Sequence, residues 1–185
     1  NFALVYSVDL PAKGYFNVAA SNSIYHIVNN ALTTSTNFSR VAYYLELVPS
    51  GSTATNYIWT AFDAFTRDVY KLSIPTNFEY QAKVANMDIA SNVGGIQTGT
   101  GIQTGNIELT YRNYDKQNTI GIPNASESVF DFGDKFTFTG NYGCLQVHNH
   151  GAKQTLFAIN HFNAGNGLQL GIGNSSSRTD ATDWT

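Results

Sequence analysis

The chain has 185 residues and a formal net charge of −3, with 42% hydrophobic, 14% aromatic and only 12% charged residues. It has no Lys/Arg stripe of the kind that marks a nucleic-acid binder, and no apolar run nears the roughly 18 residues of a membrane-spanning helix. The single cysteine, Cys144, excludes an internal disulfide and is expected to pack as a small buried residue.

A length of 185 residues suits one domain with a proper core. Charged residues usually make up about a quarter of a soluble domain. Here Asn, Thr, Ser, Gln and Gly must supply solubility instead, as they do in many extracellular β-sandwiches. The chain opens at Asn1-Phe2-Ala3-Leu4-Val5 without a leader and reads as a piece excised from a larger secreted protein.

From the N-terminus onward the periodicity is two, not 3.6. Strands are predicted over residues 3–10, 23–29, 40–48, 57–64, 105–112, 135–139, 144–150 and 155–161. Turn clusters separate them, such as Pro49-Ser50-Gly51-Ser52 and His150-Gly151-Ala152-Lys153. Residues 62–72 could alternatively form a short helix. Many short strands with Gly/Asn turns predict an all-β fold, an antiparallel two-sheet sandwich or jelly roll spanning residues 1–185 as one domain.

Alternation also sorts side chains by face. Over residues 40–48, Val41, Tyr43, Leu45 and Leu47 point to the core, and Arg40, Tyr44 and Glu46 point away. Over 57–64, Ile58 and Phe62 go inward while Tyr57, Trp59 and Asp63 go outward. Ile107, Leu109, Tyr111, Leu145, Val147, Phe157 and Ile159 continue the inward set. Glu108, Thr110, Arg112, Gln146, His148, His150 and Asn160 continue the outward one. A merely solvated face favours Lys, Glu and Thr. This one carries aromatic rings, which stack on sugar C–H faces, and planar polar groups, which pair with sugar hydroxyls. Tyr44, Tyr57, Trp59, Asp63, Arg112, Gln146, His148 and Asn160 are therefore the candidate carbohydrate-binding residues.

Between the strands at 57–64 and 105–112 lies a tandem repeat. Gly95-Ile96-Gln97-Thr98-Gly99-Thr100 is followed by Gly101-Ile102-Gln103-Thr104-Gly105-Asn106. It is expected to form a long Gly-rich loop at the rim of the site. Further on, Asp131-Phe132-Gly133-Asp134 sets two carboxylates around a glycine. Asp131 and Asp134 could hold a structural Ca²⁺ or simply cap a turn; no cofactor is expected to be essential. His148 and His150 alternate as strand-borne zinc ligands do, with Glu46 or Asp63 as a third ligand. No nucleophile elbow, P-loop or dinucleotide-binding glycine fingerprint is present.

Several segments resemble accessory β-sandwich modules of bacterial extracellular carbohydrate-active enzymes. They are Arg40 through Leu47, Trp59 through Thr66, Asp131 through Asp134, Gln146-Val147-His148-Asn149, Thr155-Leu156-Phe157-Ala158 and Leu170 through Asn174. The resemblance implies a secreted, non-catalytic carbohydrate-binding or spacer module linked to a catalytic domain, with calcium as an optional structural ion. Separately, Gln146-Val147-His148 is similar to the Q-[IV]-H strand of jelly-roll alginate lyases. That likeness implies a catalytic set of Gln146, His148, Arg112 and Tyr44. The lyases' second diagnostic strand, Y-F-K-A-G-x-Y, has no counterpart, since Phe162-Asn163-Ala164-Gly165-Asn166-Gly167 lacks its Tyr and Lys. A structural or adhesive domain is the third reading.

Overall fold

The computed structural model describes residues 2–7, 37–48, 51–72, 80–110, 142–162, 168–173 and 178–180. Within them eight strands form one antiparallel sheet: β1 (Arg40–Leu47), β2 (Asn56–Asp63), β3 (Tyr80–Ser91), β4 (Gly99–Thr110), β5 (Tyr142–Asn149), β6 (Gln154–Phe162), β7 (Leu168–Ile172) and β8 (Arg178–Asp180). Their order in the sheet is their order in the chain, a continuous meander. The all-β expectation holds in this form. The strands predicted at 23–29 and 135–139 lie outside the described residues; of the one predicted at 3–10, residues 3–7 are described and form no strand beyond a single bridge at Tyr6. The possible helix over 62–72 is reduced to one 3-10 turn, Val69–Lys71, because Phe62 and Asp63 complete β2.

The sheet curls. β2 and β7 are five places apart in strand order yet come into contact. Tyr43 of β1 meets Phe157 of β6 with ring centroids 6.0 Å apart. The concave side is thus the core, and most of its members are residues that alternation sends inward, with Met87 the exception. Val41, Ile58, Phe62, Val84, Met87, Ile89, Ile107, Leu109, Leu145, Val147, Phe157 and Ile172 are all buried there. At about 25 cal/mol per Å² of apolar surface removed from water, this face supplies the main drive to fold. Tyr43 joins it by donating its hydroxyl to the Leu72 carbonyl at 2.8 Å. Burial, with Tyr6 beside it, holds the Tyr43 phenol far above its ordinary range.

β3 carries a bulge that the sequence pattern hides. Val84 faces the core, and strict alternation would send Met87 outward; Met87 is instead fully buried opposite Ile102. Asn86, with φ of 54°, turns the alternation over, and the register with β4 then shifts between Met87 and Ile89; Asn tolerates this left-handed conformation better than most side chains. Arg40 fastens the bulge. Its guanidinium donates to the Asn86 carbonyl at 2.9 Å, to the Ala61 carbonyl at 3.2 Å, to Asp88 Oδ2 at 2.9 Å and to Asp63 Oδ1 at 3.3 Å. One side chain thereby ties β1, β2 and β3 together.

The tandem repeat is a hairpin, not a long loop. Its first copy turns the chain from β3 into β4, and its second copy lies wholly within β4. The glycines differ in role accordingly. Gly99 and Gly101 adopt positive φ. Gly105 is needed for close approach: a Cβ there would lie 1.9 Å from the His148 carbonyl oxygen and 2.8 Å from Met87 Sδ.

Candidate functional site

The strand registers bring the outward residues onto one convex face, as the alternation requires. Tyr44 lies opposite Trp59 and Glu46 opposite Tyr57 across β1–β2. Trp59 lies opposite Ala90 across β2–β3. Glu108 lies opposite Gln146 and Asn106 opposite His148 across β4–β5. The backbone of Asn160 continues the face on β6, opposite Cys144. Arg112, Asp131 and Asp134 fall outside the described residues, as do the side chains of Asn160 and Cys144.

Sharing a face does not mean sharing an environment. Over β4–β6 the convex side is sealed: Asn106, Glu108, Gln146, His148 and Thr155 are all completely buried. The expectation that Gln146, His148 and Glu108 point to solvent is therefore corrected. Glu108 and His148 enter an internal polar network, and Gln146 is buried opposite Glu108. Asn106 Nδ2 donates to Glu108 Oε1 at 2.6 Å, and Glu108 Oε1 lies 3.4 Å from His148 Nε2. His148 Nδ1 meets the Thr155 hydroxyl at 3.2 Å. Asn106 Oδ1 lies 2.8 Å from His150 Nε2. Buried polar groups must find partners of this kind, and removing one leaves the rest exposed to the full desolvation cost.

The two histidines point to different partners and do not share a ligand position. Glu46 and Asp63 are engaged elsewhere, so neither completes a zinc site with them. Among the described residues no group of three His, Cys, Asp or Glu side chains is placed to hold a metal ion.

Over β1–β3 the same face is open. Tyr44 is 58% exposed, and Tyr57 and Trp59 are half-buried. The Tyr44 and Tyr57 rings lie 6.2 Å apart, and Phe2 meets Trp59 edge-on at 6.1 Å. These two ring pairs form an aromatic strip, set side by side by the register that places Tyr44 opposite Trp59. Beside it runs an open groove of about 360 Å³, lined by Tyr57 and Trp59 on one side, Asp88 through Ser91 on its floor, and Thr98-Gly99-Thr100 on the other side. The repeat hairpin thus does rim the site. Gln154 of β6 holds the hairpin in place, accepting from the Gln97 amide at 3.0 Å and donating to the Gly95 carbonyl.

The groove separates groups that are spoken for from groups that are not. Asp88 accepts from Arg40 and from the Gly101 amide. Asp63 takes Arg40 and the Asn86 side-chain amide, the latter at 2.5 Å. Glu46 accepts the Tyr44 hydroxyl, which raises the Tyr44 phenol above its usual range. Ser91 donates to the Tyr57 carbonyl and accepts from the Val93 amide. The Trp59 indole N–H, the Tyr57 hydroxyl and the Thr98 and Thr100 hydroxyls have no hydrogen-bond partner among the described residues.

Comparison with protein-family models, with curated proteins and with solved structures gives no match to this chain. Its function therefore has to be argued from the site. Of the residues singled out from sequence, Tyr44, Tyr57, Trp59 and Asp63 stand together in the open half. Gln146 and His148 stand apart from them, buried. Thr98, Thr100 and Phe2 belong to the open site although alternation does not find them. The repeat gave a signal for the threonines, and nothing local gave one for Phe2.

Proposed function

We propose that the chain is a non-catalytic carbohydrate-binding module and that its binding surface is the open aromatic strip and groove of β1–β3. The observation that carries this reading is the pairing of exposed rings with free neutral donors. Trp59, Tyr57 and Tyr44 offer faces for the C–H surfaces of a sugar chain. The Trp59 N–H and the hydroxyls of Tyr57, Thr98 and Thr100 offer hydrogen bonds to its hydroxyls. A groove this shallow and wet gains little per contact, so affinities on the order of µM to mM follow. The resemblance to accessory modules of bacterial secreted enzymes supports the same reading and adds a linked catalytic domain. On this reading the curled sheet is one layer of the sandwich or jelly roll, an idea supported by the burial of β4–β6 on both faces.

The lyase alternative is less well supported. Its reacting groups, Gln146 and His148, would have to touch a polymer, and both are completely buried. Screening the intact chain on a broad glycan array, with and without EDTA, tests the binding proposal and the Asp131/Asp134 calcium proposal together. Binding that Trp59→Ala abolishes supports the module. Binding lost in EDTA supports the calcium. Unsaturated product released from alginate would revive the lyase. A blank array across all glycan classes would leave the strip as a protein-docking face and sink the module reading.

A further inference from the structure

We infer that the groove selects neutral glycans over polyuronates and other acidic sugars. This rests on the binding proposal above and adds the ligand's charge class. Recognition of a carboxylate calls for a cation with free N–H groups, best of all a bidentate arginine. Among the described residues no lysine or arginine lines the groove. Arg40, the arginine on the open half of the face, has its guanidinium engaged by two carboxylates and two carbonyls. Lys83 shares the face but lies about 20 Å further along β3 from Ala90, at ~3.3 Å per residue. Lys153 sits in the turn before Gln154 and does not line the groove.

What surrounds the groove is acidic. Asp63, Asp88 and Glu46 flank the strip, against one arginine. An incoming carboxylate would meet repulsion and find no partner, while a neutral polyol meets rings and unengaged hydroxyls. Among the described residues the groove thus offers a neutral sugar unengaged donors and offers an acidic sugar no cation.

The test is affinity electrophoresis of the intact chain in gels containing neutral polymers (mannan, xylan, β-glucan, galactan) or polyuronates (alginate, polygalacturonate), at low and high salt. The expected result is retardation by at least one neutral polymer, unaffected by salt and lost in Trp59→Ala. Binding to polyuronates should be weaker by roughly tenfold or more at low salt, where like-charge repulsion is least screened. Thr98→Lys, an exposed position on the groove wall, should raise polyuronate binding in a salt-sensitive way. Polyuronate retardation that equals or exceeds the neutral polymers and still depends on Trp59 would overturn the selectivity while leaving the site intact. Retardation by no polymer, or retardation that Trp59→Ala leaves unchanged, would overturn the site itself.

Discussion

The two halves of the convex face share a composition and differ in fate. Over β1–β3 it presents Tyr44, Tyr57, Trp59 and Asp63 to solvent or near it. Over β4–β6 it presents Asn106, Glu108, Gln146 and His148 to one another, with no exposure at all. In the open half the charged groups are satisfied locally and the neutral donors are left over for a ligand. In the closed half the polar groups partner one another within the sheet, with Glu108 Oε2 left without a hydrogen bond among the described residues. Polar side chains alternating along a strand thus report which face they are on, and not whether water reaches that face.

Substitutions should separate the halves cleanly: those in the closed half act on folding, those in the open half on binding. The largest effect is expected at Gly105→Ala. The added methyl would overlap the His148 backbone, which cannot move without breaking the β4–β5 ladder. A loss on the order of 4 kcal/mol or more is expected, read as failure to recover folded protein or a collapsed denaturation midpoint.

Next is Glu108→Ala, which strips Asn106 and His148 of a buried partner. Breaking one side of such a pair costs about 3 kcal/mol. Replacing both partners with apolar residues, as in Glu108→Met with His148→Leu, should cost less than the single change. Urea denaturation of the two variants checks the order, and a double variant less stable than the single one would contradict a paired network.

Trp59→Ala should do the reverse. Glycan affinity falls at least tenfold, about 1.4 kcal/mol, while the denaturation midpoint barely moves. This contrast was only partly legible from sequence. Period two placed Val41, Ile58, Ile107 and Val147 on the core face and Tyr44, Trp59, Gln146 and His148 on the other, because side-chain direction is a local property of the strand. Burial of that second face depends on what the rest of the chain lays over it, and no spacing encodes that. The kink at Asn86 escaped for a similar reason, since it is held by Arg40 reaching across from a strand distant in sequence. The hairpin nature of the repeat escaped because Gly-Ile-Gln-Thr reads equally well as loop or edge. Its second copy becomes strand only through pairing with Lys83, Val84 and Ala85.

The smallest effect belongs to the core. Tyr43→Phe loses one hydrogen bond to Leu72, about 1 kcal/mol at neutral pH. Its pH dependence is more informative. The folded phenol is held above its ordinary value of 10.0, so the native state keeps its proton where the unfolded chain gives it up. The Tyr43 contribution is therefore full below pH 10 and falls as pH rises beyond it. Tyr43→Phe should flatten that alkaline decline, as followed by thermal melts at stepped pH. An unchanged slope would mean that the phenol is not protected by the core.

The most direct test of the open half as the working surface uses Trp59 as its own reporter. The chain has two tryptophans, so Trp184→Phe leaves Trp59 as the sole indole emitter. Titrating this variant with a neutral polysaccharide retained by the wild type should quench or blue-shift the emission, saturating at the Kd that calorimetry gives. Calorimetric binding with Trp59 emission unchanged through saturation would place the ligand elsewhere and contradict the account.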